Sequence, residues 1–248
     1  MILLRSAAFN AWFFGVTFLI TIFGTPMRVL RWQIVVRYAR FWGWLVTTGL
    51  RVLCGITWEV TGQENLPLPG QPALIASMHQ SAFDTIVWTR ISPLFCYVMK
   101  DELVRIPLLG MIFRRAGMIP VDREAGTAAL RSLLRAADRA LAQNRHIVIF
   151  PEGTRVSPGV VVKLQPGVAA LAARTGLPVI PVMTDSGLFW GKRAFRKTPG
   201  VIRVAILPPL PSGLPREELM RRLQAAFAEG AAALPTARAR FPVDNSVG

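Results

Sequence analysis

His79 and Asp84 stand with four residues between them in the run His79-Gln80-Ser81-Ala82-Phe83-Asp84. On a turn that enters a helix, a carboxylate at that spacing can fold back onto one imidazole nitrogen and leave the other free. Asp84 would then fix the tautomer of His79 and stabilise the imidazolium formed when it takes a proton. An unperturbed imidazole, titrating at about pH 6.5, is a competent base at neutral pH. The same spacing also suits a helix N-cap beside a satisfied histidine, and the pair alone does not choose. The sequence has no Gly-x-Ser-x-Gly elbow to supply a protein nucleophile, and Ser81 lies too close to His79 for the usual triad. A base without a protein nucleophile points to a substrate hydroxyl as the nucleophile.

A second polar cluster, Phe150-Pro151-Glu152-Gly153-Thr154-Arg155, follows a short apolar run. Backbone amides and an arginine fork at such a place can face an anion, and arginine suits bidentate recognition of phosphate. A strand-to-loop turn with an exposed salt bridge is the plainer reading. Lys100 and the pair Asp122-Arg123 are further charges at the ends of apolar runs; each by itself reads equally as a solvated surface group.

These clusters need elements to hold them. From Trp58 onward, short apolar runs alternate with helical ones. ITWEVTG, QPALIASMHQ, LFCYVMK, HIVIFPEG, LPVIPVM and VIRVAIL read as strands. TAALRSLLRAADRALAQNR places Leu130, Leu133, Leu134, Ala137 and Leu141 on one helical face and arginines on the other. QPGVAALAARTG is a short helix closed by Gly176, and PREELMRRLQAAFAEGA opens with a proline and two glutamates near its start. The alternation predicts an α/β fold with a mixed, largely parallel sheet flanked by helices. In such sheets functional groups gather where strands end and helices begin, which is where both polar clusters fall. The expected organisation is one domain over 58–234, behind an anchor over 1–57, with a polar tail over 235–248.

The anchor begins with Ala7 to Gly24, a run of about 18 residues without charge, at the lower edge of what crosses a bilayer. It is longer than a signal-peptide core and leads into Thr25-Pro26-Met27-Arg28, so it reads as uncleaved. Arg28, Arg31, Arg37 and Arg40 then interleave with Trp32, Tyr38, Phe41, Trp42 and Trp44, the pattern of an interfacial amphipathic helix. A helical hairpin packed on the domain is the alternative. Residues 1–60 hold six basic groups and one acidic group, four of the six just after the apolar run. The positive-inside rule then places the following chain at the cytoplasmic face of the inner membrane.

Composition agrees. The chain of 248 residues is 52% hydrophobic and 17% charged, against about 25% charged in ordinary soluble domains. Its net charge of +15 suits an anionic membrane surface or anionic substrates. The basic residues are spread along the chain with no recognised nucleic-acid module, so no nucleic-acid partner is expected. Two cysteines, Cys54 and Cys96, and two histidines, His79 and His146, make neither a disulfide framework nor a zinc site. A reduced compartment and no metal are expected.

Taken together, the clusters resemble the glycerolipid acyltransferase family, in particular its branch acting on 1-acylglycerol 3-phosphate. Four blocks match in order: His79 to Asp84, Gly117 to Arg123, Phe150 to Arg155, and Val179-Ile180-Pro181-Val182. Lys100-Asp101-Glu102-Leu103 is similar to the family's Lys-x-Glu-Leu, and the match runs from roughly Trp58 to Leu210. The resemblance implies that His79 deprotonates the sn-2 hydroxyl of a lysophospholipid, with Asp84 orienting it. The freed oxygen attacks an acyl thioester of coenzyme A or acyl carrier protein. By the same resemblance Arg155 and Lys100 hold the acceptor phosphate, and Glu152, Gly153 and Thr154 shape its pocket. Arg123 contacts the acceptor or thioester end, and Pro181 supports the acyl wall. No bound cofactor is implied, because the thioester is already activated. Where many relatives carry a lysine before the fourth block this chain has Gln165, with Lys163 two residues earlier. Related acceptors, glycerol 3-phosphate and lyso-ornithine lipid, share the blocks. A non-enzymatic membrane protein that binds anionic lipid is the reading from another class.

Overall fold

The computed structural model describes residues 1–233, except for Pro69 and the side chains of Arg28, Arg123 and 231–233. The expected tail, 235–248, lies outside the described residues. Seven strands form the sheet: β1 (Ile56–Thr61), β2 (Ala73–Ser77), β3 (Phe95–Lys100), β4 (Ile119–Val121), β5 (His146–Ile149), β6 (Val179–Thr184) and β7 (Gly200–Ile206). Their order is β1-β7-β6-β2-β5-β3-β4. Neighbours run parallel except β6 and β7, which are antiparallel. The mixed, largely parallel sheet expected from the alternation of runs is therefore present. β2 sits at its centre with all five residues buried, as a strand covered on both faces requires.

Among the described residues seven α-helices flank it: α1 (Ile2–Phe23), α2 (Trp32–Cys54), α3 (Phe83–Ile91), α4 (Leu109–Arg115), α5 (Gly126–Leu141), α6 (Gly167–Thr175) and α7 (Arg216–Ala233). α5 packs on α6 and α6 on α7, while α2 packs on α3 and β1 and carries α1 outside it. In α5 the buried stripe is Ala129, Leu133, Ala136, Ala137 and Ala140, and Leu130 stays exposed. The inward face is thus rotated from the leucine face expected, because the alanines allow a closer approach to the sheet.

The N-terminal pair is a helical hairpin packed on the domain. α2 is amphipathic, yet its apolar side, with Val35, Val36, Val46 and Leu50, is buried. Gly43 and Gly49 make the close packing possible. A Cβ at Gly43 would lie 1.8 Å from the Thr89 hydroxyl of α3, and one at Gly49 would lie 2.3 Å from Trp12 of α1. Several aromatics expected at a membrane surface instead join elements. Trp42 Nε1 donates to Thr17 Oγ1 and the Tyr38 hydroxyl to the Ile20 carbonyl, each bridging to α1. Trp32 lies 4.6 Å beneath the buried Arg145 guanidinium. Half-buried indole and phenol groups need a hydrogen-bond partner, and the hairpin supplies it. Phe41 and Trp44 do face outward. The outer side of α1 exposes Leu3, Leu4, Phe14, Phe18 and Phe23, and α1 is long and apolar enough to cross a membrane by length and composition.

Candidate active site

β6, β2 and β5 are adjacent and parallel, so the loops leaving their C-terminal ends meet. β2 delivers His79, β5 delivers Glu152 to Arg155, and β6 delivers Asp185 and Ser186. Backbone bonds join the loops: Val156 N–H donates to the His79 carbonyl at 2.8 Å and Met78 N–H to the Val182 carbonyl at 2.9 Å.

His79 Nδ1 lies 3.1 Å from Asp84 Oδ2. That oxygen also accepts from the backbone amides of Gln80 and Ser81, at 2.6 and 2.7 Å, and the other oxygen accepts from the Ser186 hydroxyl. Four donors converge on Asp84, which sits in the first turn of α3, where the helix dipole favours an anion. An acceptor-only carboxylate so placed holds the hydrogen of His79 on Nδ1. Nε2 keeps its lone pair and has no partner among the described residues. The ring stacks on Phe150 at 4.3 Å between centroids, and its side chain is 14% exposed while that of Asp84 is 1%. The imidazole is fixed on one edge and open on the other. Ser81 is not a nucleophile here: it is fully buried and its Oγ accepts from Phe83 N–H at the start of α3.

The run Phe150 to Gly153 is a turn closed by Gly153 N–H to the Phe150 carbonyl at 3.0 Å. Pro151 stands at the second position and Gly153, with φ of 73°, at the fourth, an arrangement only glycine adopts without strain. The turn points Glu152 inward, where its carboxylate accepts from His79 N–H at 2.5 Å. Burial, against the favourable hydrogen bond and reinforced by the nearby Asp84 charge, raises the Glu152 pKa to about 8. A neutral Glu152 at pH 7 holds the His79 loop without adding a second negative charge beside Asp84. Arg155 is half-buried and makes no ion pair among the described residues, and Thr154 is exposed, 3.4 Å from Lys192 Nζ.

The structure thus brings together His79, Asp84, Glu152, Gly153, Thr154 and Arg155. Lys100 ends β3, beyond β5 in the sheet, and pairs with Glu102 at 2.6 Å with both side chains more than half exposed. Such a pair exchanges readily for another anion, but Lys100 makes no contact with the dyad. Arg123 follows β4, at the sheet edge, and its side chain lies outside the described residues. Pro181 is buried in β6 opposite Ala76 of β2. Gln165 N–H donates to the Pro151 carbonyl at 2.6 Å, bracing the turn, and Lys163 is exposed. Ser186 and Gln80, whose Oε1 accepts from Gly187 N–H, escaped the sequence reading. The polar cluster Thr184-Asp185-Ser186-Gly187 after an apolar strand was the available signal. Among the described residues no group of three or more His, Cys, Asp or Glu gathers as metal ligands.

A model of the acyltransferase family matches residues 57–185, slightly more than half of the chain. The chain belongs to the acyltransferase family. It is 36% identical over 185 residues to a 1-acyl-sn-glycerol-3-phosphate acyltransferase of Pseudomonas aeruginosa, an alignment covering 75% of this acyltransferase and 70% of that protein. To the human 1-acyl-sn-glycerol-3-phosphate acyltransferase alpha it is 32% identical over 170 residues, 68% of this chain, and spans 60% of that relative's length. The fold is similar to that of the 1-acyl-sn-glycerophosphate acyltransferase PlsC from Thermotoga maritima. The TM-score is 0.74 at 23% identity, covering 95% of this acyltransferase and 99% of that chain.

Proposed function

We propose that this acyltransferase moves an acyl group from acyl-coenzyme A or acyl carrier protein to the sn-2 hydroxyl of 1-acyl-sn-glycerol 3-phosphate, making phosphatidic acid for phospholipid synthesis. The observation that carries the reading is the open Nε2 of an imidazole fixed by Asp84, on a loop bonded to that of Arg155, a half-buried arginine with no ion pair among the described residues. The names of the Pseudomonas and human relatives supply the acceptor. Nε2 takes the proton of the acceptor hydroxyl as its oxygen bonds to the thioester carbonyl carbon. The tetrahedral adduct then collapses, the carbon–sulfur bond breaks, and the departing thiolate recovers the proton from the imidazolium. Arg155 binds the acceptor phosphate, joined by Lys100 once its pairing with Glu102 is exchanged, and Arg123 reaches the acceptor or thioester end. The thioester is already activated, so the chemistry asks for no metal or bound cofactor.

The outer side of α1, with the outward aromatics of α2, enters the inner leaflet of the cytoplasmic membrane, where the lysolipid lies and the donor arrives from the cytosol. The test is product analysis of the full chain in lipid. Labelled acyl-coenzyme A or acyl carrier protein is supplied with lysophosphatidate, glycerol 3-phosphate and lyso-ornithine lipid in competition. Phosphatidate as the main product supports the assignment; another acylated product moves it to that acceptor, and no product from either donor overturns it.

A further inference from the structure

The two oxygens of Asp84 are held differently. Oδ2 is fixed by His79, Gln80 and Ser81, all within five residues. Oδ1 is met by Ser186, 102 residues away in the chain. The torsion that rotates a carboxylate is soft, so its plane is set by whatever bonds the second oxygen. Ser186 is fully buried, where water does not compete for the bond, and its own N–H is taken by Thr184 Oγ1 at 3.1 Å. The next residue is wedged: a Cβ on Gly187 would come within 2.8 Å of Pro158 and 3.0 Å of Gln80.

The same loop is fastened at its far end to α1. Trp190 meets Phe9 and Phe13 edge-on at 5.2 and 5.6 Å. Lys197 N–H donates to Ser6 Oγ at 2.9 Å, and its ammonium donates to Asn10 Oδ1 at 2.6 Å and to the carbonyls of Ala194 and Phe195. The ammonium lies 5.3 Å over the Trp190 ring, and Lys197 is only 3% exposed. A buried cation held without a carboxylate is costly unless several acceptors and ring faces surround it. Ser6 and Asn10 are among the few polar residues of an otherwise apolar helix, and leaflet insertion alone gives them no task.

We propose that Ser186 is a positioning residue for the His79–Asp84 dyad, and that α1, through Lys197, holds the loop 186–199 that delivers it. The proposal rests on the reading of His79 as the base. The membrane helix is then part of the support of the dyad as well as an attachment.

The experiment compares steady-state kinetics of full-length variants in lipid nanodiscs, with thermal melting recorded for each. Ser186→Ala should lower kcat by about 10- to 100-fold, the range for one hydrogen bond to a charged group, with KM for donor and acceptor unchanged. Ser186→Thr, which keeps the hydroxyl, should recover most of the loss. In an Asp84→Ala background Ser186→Ala should cost nothing more, because its effect passes through that carboxylate. Lys197→Met should lower kcat by a smaller factor with KM unchanged, and add nothing in the Ser186→Ala background. A wild-type kcat in Ser186→Ala, or the same loss with Asp84 already removed, overturns the positioning role. A wild-type kcat in Lys197→Met, or losses that multiply, overturns the link to α1. Failure of the base reading is separate: His79→Ala would then keep its turnover whatever Ser186→Ala does.

Discussion

Glu152 shows how a residue of a recognisable block can do something other than its type suggests. A carboxylate facing out of this block would repel the anionic acceptor proposed above, yet this one is turned inward and bonded to the His79 amide. Its pKa of about 8 against an ordinary 4.5 has a definite sign in the stability of the protein. Below about pH 4.5 folded and unfolded chains both hold the proton. Between 4.5 and 8 the fold keeps a proton that the unfolded chain has released, so stability falls as pH rises through that window. Chemical denaturation between pH 5 and 8 should therefore show a declining unfolding free energy in the wild type. Glu152→Gln should flatten that slope, and an unchanged slope would count against a protonated Glu152. At this scale the sequence was informative about identity and less so about direction. The turn Phe150-Pro151-Glu152-Gly153 is legible from its proline and glycine, but which way Glu152 points depends on the neighbouring β2 loop.

Between elements, α2 lies close against α3. A methyl group at Gly43 would lie 2.9 Å from Thr89 Cβ as well as against its hydroxyl, so rotating the threonine does not make room. Gly43→Ala should destabilise the fold by about 1–3 kcal/mol, the usual cost of overpacking, and Thr89→Ala in the same chain, which removes the hydroxyl but keeps the Cβ, should restore only part of it. Thermal melting checks both; an unchanged Tm in the single variant would mean the two helices separate freely. The small residues Gly43, Thr47 and Gly49 were a readable sign of close helix packing, overshadowed by the arginines and aromatics of the same helix. Six of the seven strands were legible as apolar runs between polar or turn residues, whereas β4, only three residues long, was too short to read as a strand. The strand order was not legible: β6 lies beside β2 although 101 residues lie between Ser77, the end of β2, and Val179, the start of β6, so the pairing needs a crossover. Ser186 was hidden for the same reason, since its role exists only once those strands are neighbours.

The whole molecule joins the N-terminal hairpin, with its apolar outer side, to the end of the sheet that carries His79 and Asp84, through one side of the sheet. β1 follows α2 directly and pairs with β7 from Ile56 opposite Gly200, and the loop before β7 is the one that α1 clasps. The uncharged run near the start of the chain and the net charge of +15 were legible directly in the sequence. How the hairpin meets the His79–Asp84 end of the sheet was not legible, because the partners that Ser6, Asn10 and Lys197 take exist only in three dimensions.

The central claim is that the open nitrogen of His79 takes the proton of the acceptor hydroxyl. The loop holds that residue through its backbone, by Glu152 on the amide and Val156 on the carbonyl, so the side chain can be removed without releasing the loop. The most direct measurement is the turnover of full-length His79→Ala in lipid, with lysophosphatidate and acyl-coenzyme A. A kcat lowered by about 100- to 10,000-fold, with melting close to that of the wild type, is the predicted result. Wild-type turnover in that variant would contradict the account.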